Sequence, residues 1–247
     1  MNPYFNTNYA GNHFEFHSNS HIIPLLIIIS ICISIFLFKK YFRKSTINKI
    51  TCYFLAFALL TQEISLSIWR IVNGTWSISN SLPLHLCGVA IILSAIVLIK
   101  KNYLLYELIY FWGMGGAIQS LLTPDIGIYG FPHFRFFQFF VSHGLLVITT
   151  IFLTVVEKYR PTQRSIWKVF LITNFYLIFI AGFNYVFDAN YLFICYKPVN
   201  GSVMDFLGPW PWYILSLEVV GLISFYIYYS PFLVKDFTKK AILYFRK

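Results

Sequence analysis

Charge is what this chain has least of: Asp, Glu, Lys and Arg make up 11% of its 247 residues, against roughly 25% in a soluble domain. With 58% hydrophobic and 21% aromatic residues, a water-soluble globule of this size cannot hide its apolar surface. The same figures exclude disorder, because disordered chains are poor in apolar residues and rich in charge. Cysteine is sparse as well. Four Cys, with no CxxC pair and no Cys/His cluster at zinc spacing, exclude a disulfide framework and a zinc module, and no metal or other cofactor is expected. Cys32 and Cys52 fall in apolar runs and read as small buried residues. No internal repeat is visible. The net charge is +10, yet the cations sit between apolar runs rather than on one polar surface, which argues against a nucleic-acid partner.

Long apolar runs are what the chain does have, at about 22–38, 50–72, 82–99, 103–122, 136–156, 166–187 and 211–229. Each approaches or exceeds the roughly 20 residues that cross a bilayer as helix. The expectation is an all-α polytopic bundle of seven transmembrane helices, one integral membrane domain over residues 1–247 in the cell membrane. Cation placement orients it. Lys39, Lys40, Arg43, Lys44 and Lys49 follow span one, and Lys100 and Lys101 follow span three. Lys158, Arg160, Arg164 and Lys168 follow span five, and Lys235, Lys239, Lys240, Arg246 and Lys247 follow span seven. The alternate connections hold only Arg135 and Lys197. Such alternation puts the amino terminus outside and the carboxyl terminus in the cytoplasm. Span one lacks preceding cations and a small-residue cleavage site, so it reads as a retained anchor rather than a signal peptide.

Polar residues inside the spans carry most of the functional content, because each is costly there. At 1.5 Å per residue, His85, Gln119, Gln138 and Asn184 lie about 3–5 Å below the outer edge, His143 and Glu218 about 10 Å, and Glu63 about 13 Å. Groups from six spans at similar depth point to one hydrated cavity opening outward. Glu63 and Arg70, two turns apart, share a helix face. Arg135, Gln138 and Ser142 form a polar arc, with His143 about 100° further round. His85 follows Pro83 in the first turns of span three, with Ser81 available as its cap. Cys87 lies about 200° round the helix from His85, so the two are expected to face apart, leaving His143 as its alternative base. Lys168 is expected to snorkel to the cytoplasmic interface. Gly113, Gly116, Ala117 and Ser120 present a small-residue stripe for close helix packing. Residues 188–210 form a long connection expected to lie on the interface or cap the cavity, where Lys197 and Arg135 are candidates for holding a lipid phosphate.

Three strings, Leu82-Pro-Leu-His-Leu-Cys87, Phe131-Pro-His-Phe-Arg-Phe-Phe-Gln138 through Ser142-His143-Gly144, and Asn184-Tyr-Val-Phe-Asp-Ala-Asn-Tyr191 through Lys197-Pro198, resemble the YwaF-like bacterial integral membrane family. That family is distantly similar to a eukaryotic transmembrane phospholipid acyltransferase. The resemblance implies acyl transfer between membrane lipids, with a Cys immediately before the span-three His and a second His on span five. Here those histidines are His85 and His143, whereas Leu84 stands at the Cys position. Cys87 as substitute nucleophile, or direct attack by a lipid hydroxyl with His143 as general base, both remain open.

The expected function is therefore acyl transfer or ester hydrolysis on a membrane lipid, with a phospholipid or lysolipid as substrate. His143 is the expected base, His85 the orienting or oxyanion-stabilising partner and Cys87 a candidate nucleophile. Arg135, Gln138, Lys197, Asn184, Gln119, Glu63, Arg70 and Glu218 are the expected substrate-binding set. The alternative is a non-enzymatic transporter or binder of a small polar or anionic ligand, in which Glu63 and Glu218 would carry protons.

Overall fold

The computed structural model describes residues 3–198 and 203–245, which form helices joined by turns, with no strand among the described residues. The helices are α1 (Asn19–Leu37), α2 (Lys39–Phe42), α3 (Ser45–Val72), α4 (Leu86–Lys100), α5 (Tyr103–Leu122), α6 (Phe134–Val155), α7 (Gln163–Phe187) and α8 (Trp212–Phe245). Apart from the single turn of α2, each occupies one of the seven apolar runs. Five are long and apolar enough to cross a membrane: α1, α3, α6, α7 and the Trp212–Val234 part of α8. The expectation was seven. α4 falls short at 15 residues, and α5 interrupts its 20 residues with Glu107 and Gln119.

The third run differs most from its expected form. A helix was expected from residue 82 with Ser81 as cap, but α4 begins at Leu86 with His85 as an extended N-cap. Pro83 disfavours helix for the residue before it. Tyr191 fixes the extended segment from the far side of the chain: its hydroxyl accepts from the Leu82 N–H at 2.9 Å and donates to the Ile78 carbonyl at 2.8 Å. Ser81 instead bonds within its own turn, to Asn80 and the Ser77 N–H.

α6 is the central helix. Its apolar stretch is 72% buried, where those of α1, α3, α7 and α8 are 11–22% buried. Small residues allow the close approaches. Ile28 of α1 presses on Gly144 of α6, and Gly113 of α5 faces the Thr150 hydroxyl. The expected packing stripe on α5 thus meets α6 through Gly113 and α4 through Gly116, which seats the Cys87 sulfur.

Loops knit each end of the bundle. At the cation-rich end Arg43 donates to the last carbonyls of α6, those of Val155 and Val156. Lys101 pairs with Glu157 at 2.7 Å and also donates to the Cys52 sulfur at 3.0 Å. At the opposite end residues 3–13 are strapped across α3 and α6. The Trp69 indole donates to the Phe5 carbonyl at 2.8 Å, the Asn73 carboxamide accepts from the Thr7 N–H, and the Tyr129 hydroxyl donates to the Thr7 carbonyl. Trp69 is itself buried.

His133 is the buckle of this strap. Its Nδ1 accepts from the Arg135 N–H, capping α6, so its Nε2 carries the proton and donates to the Asn6 carbonyl, both at 3.1 Å. Burial pulls its proton affinity below the usual imidazole range; the Asn6 carbonyl works against this and the Arg135 charge reinforces it. A depressed pKa in the folded state places its stabilisation above the unfolded value of about 6.5. That contribution is lost as pH falls from there through the folded value, because the unfolded chain then binds more protons. The protection factors of the amides over residues 3–12, the intrinsic rate at each pH divided by the observed exchange rate, are therefore expected to fall between pH 7.5 and 5. His133→Asn keeps a capping acceptor and removes the titration, so it is expected to flatten that response. An equal response in both proteins would show that His133 does not control the strap.

Candidate functional site

A cavity of about 390 Å³ opens between α4, α5, α7 and α8 at the end carrying the strap. His85, Cys87, Gln119 and Glu218 line it, among the apolar side chains of Phe111, Trp112, Leu177, Leu217 and Phe225. His85 and Cys87 were expected to face apart. They share the cavity because His85 precedes the helix, so the helical 200° rotation does not apply to it. The expected capping role of the 188–210 connection is met within its described part, since Leu192, Phe193 and Ile194 form a wall of the cavity. Tyr213 holds that wall by donating to the Phe193 carbonyl, as does Trp210 to the Ile194 carbonyl.

Hydrogen bonds fix the ring state of each histidine. The Leu192 N–H donates to His85 Nδ1 at 3.4 Å; a neutral ring accepting there carries its proton on Nε2 and offers a donor. His143 is the reverse. Its Nδ1 lies 2.8 Å from the Phe139 carbonyl, which can only accept, so Nδ1 is protonated and Nε2 keeps its lone pair. The ring packs on Phe139, with centroids 4.3 Å apart. The Ser142 hydroxyl lies 3.4 Å from His143 Nδ1 and donates to the Phe139 carbonyl. One histidine is thus arranged to donate and the other to accept.

The polar layer expected to share one cavity is divided. His143 does not line the His85 cavity, and Cys87 does not meet it. The Cys87 sulfur sits against Gly116. The rest of the layer includes charged groups. Glu63 feels the charges of both Arg70 and Arg135, which also act on each other. Arg70 acts in turn on His85, and Arg135 on His143. Arg70 donates to the Asn80 carbonyl at 3.1 Å, and Arg135 to the Gln138 carboxamide.

Three expected binding residues have other duties. Asn184 clasps the loop, accepting from the Tyr191 N–H and donating to the Tyr191 carbonyl, both at 2.9 Å. Lys197 reaches the Asp205 carbonyl at 3.5 Å and lies over the Tyr213 ring, so it does not join Arg135 as a phosphate pair. Glu218 lines the cavity while accepting from Asn174 at 2.9 Å. Thr173 is a site residue that sequence reasoning missed. It accepts from the Trp112 indole at 2.8 Å and has no pattern to mark it. Two further cavities, of about 620 and 520 Å³, flank α1. Their linings are mostly Ile, Leu, Val and Phe, with Asn19 and Ser20 in the first and Cys32 in the second.

The sequence model of the TMEM164 family matches residues 16–229. An uncharacterized protein of Treponema pallidum (strain Nichols) is 26% identical over 177 residues, 71% of this chain and 72% of the relative. No solved structure matches.

Proposed function

The chain belongs to the TMEM164 family, and from that premise and its apolar helices we propose that it is an integral protein of the cell membrane catalysing acyl transfer or ester hydrolysis on a membrane lipid. In this reading all seven apolar helices cross, the shorter α4 and α5 among them, with the cation-rich end in the cytoplasm. The lone pair that His143 keeps on Nε2 carries it. His143 Nε2, an acceptor, takes the proton of a lipid hydroxyl or water. That oxygen bonds to the ester carbon; His85 lines a separate cavity and takes no part in this step. The acyl–oxygen bond then breaks, and the proton passes from His143 to the departing alkoxide. Phospholipid and lysolipid are the substrates this chemistry suits.

Direct attack is preferred over a thioester. Leu84 stands where the resemblance implies Cys. His85, the base nearest Cys87 in sequence, has its lone-pair nitrogen engaged by Leu192, and a thiol without a base reacts poorly.

The test is purified protein in nanodiscs, supplied with a lysophospholipid and a phospholipid bearing a labelled acyl chain. Label is expected on the lysolipid, or as free fatty acid. Cys87→Ala is expected to stay within about threefold of wild type, with no hydroxylamine-releasable acyl protein. Absence of both products across donors of several headgroups would sink the enzyme reading and leave that of a binder. Loss of turnover in Cys87→Ala would restore the thioester.

A further inference from the structure

Arg70 and Arg135 stand at the end of α3 and the start of α6, and the rings beside them meet. Trp69 stacks on Phe134 with centroids 5.9 Å apart and planes 29° apart, which brings the two arginine-bearing helix ends together. Both guanidiniums are half-buried. Each is seen in one side-chain hydrogen bond, and to a neutral acceptor: the Asn80 carbonyl for Arg70, the Gln138 carboxamide for Arg135. A guanidinium has five N–H donors. Among the described residues neither is in an ion pair; the three such pairs found join other side chains. Glu63, one carboxylate for two cations, is the acidic group acting on both. Two like charges thus stand at helix ends joined by that ring stack, with a single carboxylate acting on both and donors to spare.

We propose that Arg70 and Arg135 form a phosphate-binding subsite. Guanidinium pairs suit phosphate oxygens because their planar forks donate two parallel bonds each. An anion here relieves the repulsion between the arginines and supplies the missing negative charge. Position favours a phosphate carried by a lipid. The subsite lies at a helix-terminal level flanked by Trp69, Tyr129 and His133, as headgroup contacts do. Arg135 and His143 also share α6, about two turns apart, so that a held headgroup brings its neighbouring ester toward that histidine. This second point rests on the proposed lipid chemistry, whereas anion binding itself does not.

Calorimetry on the purified protein in dodecyl maltoside separates the sources. The probes are dihexanoyl phosphatidylglycerol, dihexanoylglycerol with the same chains and no phosphate, and inorganic phosphate. The phospholipid is expected to bind at least tenfold more tightly than the diacylglycerol. Arg70→Gln and Arg135→Gln are each expected to remove that margin, and Glu63→Gln to widen it by taking away the competing carboxylate. A gain of binding cannot come from misfolding. Arginine-dependent binding of inorganic phosphate equal to that of the phospholipid would support the subsite and identify free phosphate as its ligand. Equal binding of phospholipid and diacylglycerol would overturn the proposal, as would a margin that survives both arginine substitutions or a Glu63→Gln protein that binds no better. His143→Ala protein is included because it is expected to bind normally without turnover. Failure of the chemistry and failure of the subsite therefore give different results.

Discussion

His143→Ala is expected to lower lipid turnover by at least about 100-fold, the lower bound for removing a positioned general base. Lipid binding is expected to change little. The imidazole is held on its own helix by the bond from Nδ1 to the Phe139 carbonyl at 2.8 Å and by its stack on Phe139, so alanine removes a side chain whose contacts are mainly local. The Phe139 carbonyl also accepts from the Ser142 hydroxyl, so it is not orphaned by the change. His143→Gln is the stricter test. Its amide approximates the ring in size and supplies hydrogen bonds, but it cannot take up a proton at neutral pH. Loss in both variants, in kcat rather than KM, supports a base. Wild-type kcat in His143→Gln would reduce His143 to a packing residue and move the chemistry elsewhere.

The sequence shows the helices far more clearly than the site, and the reason is physical. Apolar runs report burial in lipid or protein at every residue, so α3, α5, α6 and α7 fall within a few residues of the runs at 50–72, 103–122, 136–156 and 166–187. Even there, length alone overstated α4, whose start is set by Tyr191, about 110 positions away in sequence. The site depends on such long-range contacts throughout. Asn184 was read from depth as a cavity group, yet both ends of its carboxamide are spent on Tyr191. Depth along a helix locates a residue to a layer without saying which way it turns. The same limit split the polar layer into a His85 cavity and an arginine-centred group. Where local rules suffice they serve well: the apolar run at 103–122 coincides with α5.

Lys168→Met is expected to destabilise the folded protein by about 2–3 kcal/mol, somewhat below the 3–5 kcal/mol for breaking a fully buried ion pair. Lys168 was expected to snorkel to the interface. Instead its ammonium lies 2.6 Å from the Glu107 carboxylate, which is 1% exposed, while the lysine side chain itself remains 46% exposed. Attraction at the lysine end is therefore partly screened, whereas the cost of burying the carboxylate is nearly complete. Glu107 keeps one other donor, the Ser165 hydroxyl at 2.5 Å. Ser165 in turn closes the capping box of α7 with Thr162, so the carboxylate ties the start of α7 to α5. Removing the lysine leaves a charge with a single neutral partner in an apolar setting. Removing both charges does not, and Glu107→Gln/Lys168→Met is expected to recover most of the loss, since the glutamine carbonyl still accepts from Ser165. Thermal unfolding in detergent measures all three proteins. A single variant as stable as wild type would show the pair to be an ordinary surface contact, and a double variant no better than the single would place the cost in lysine packing instead.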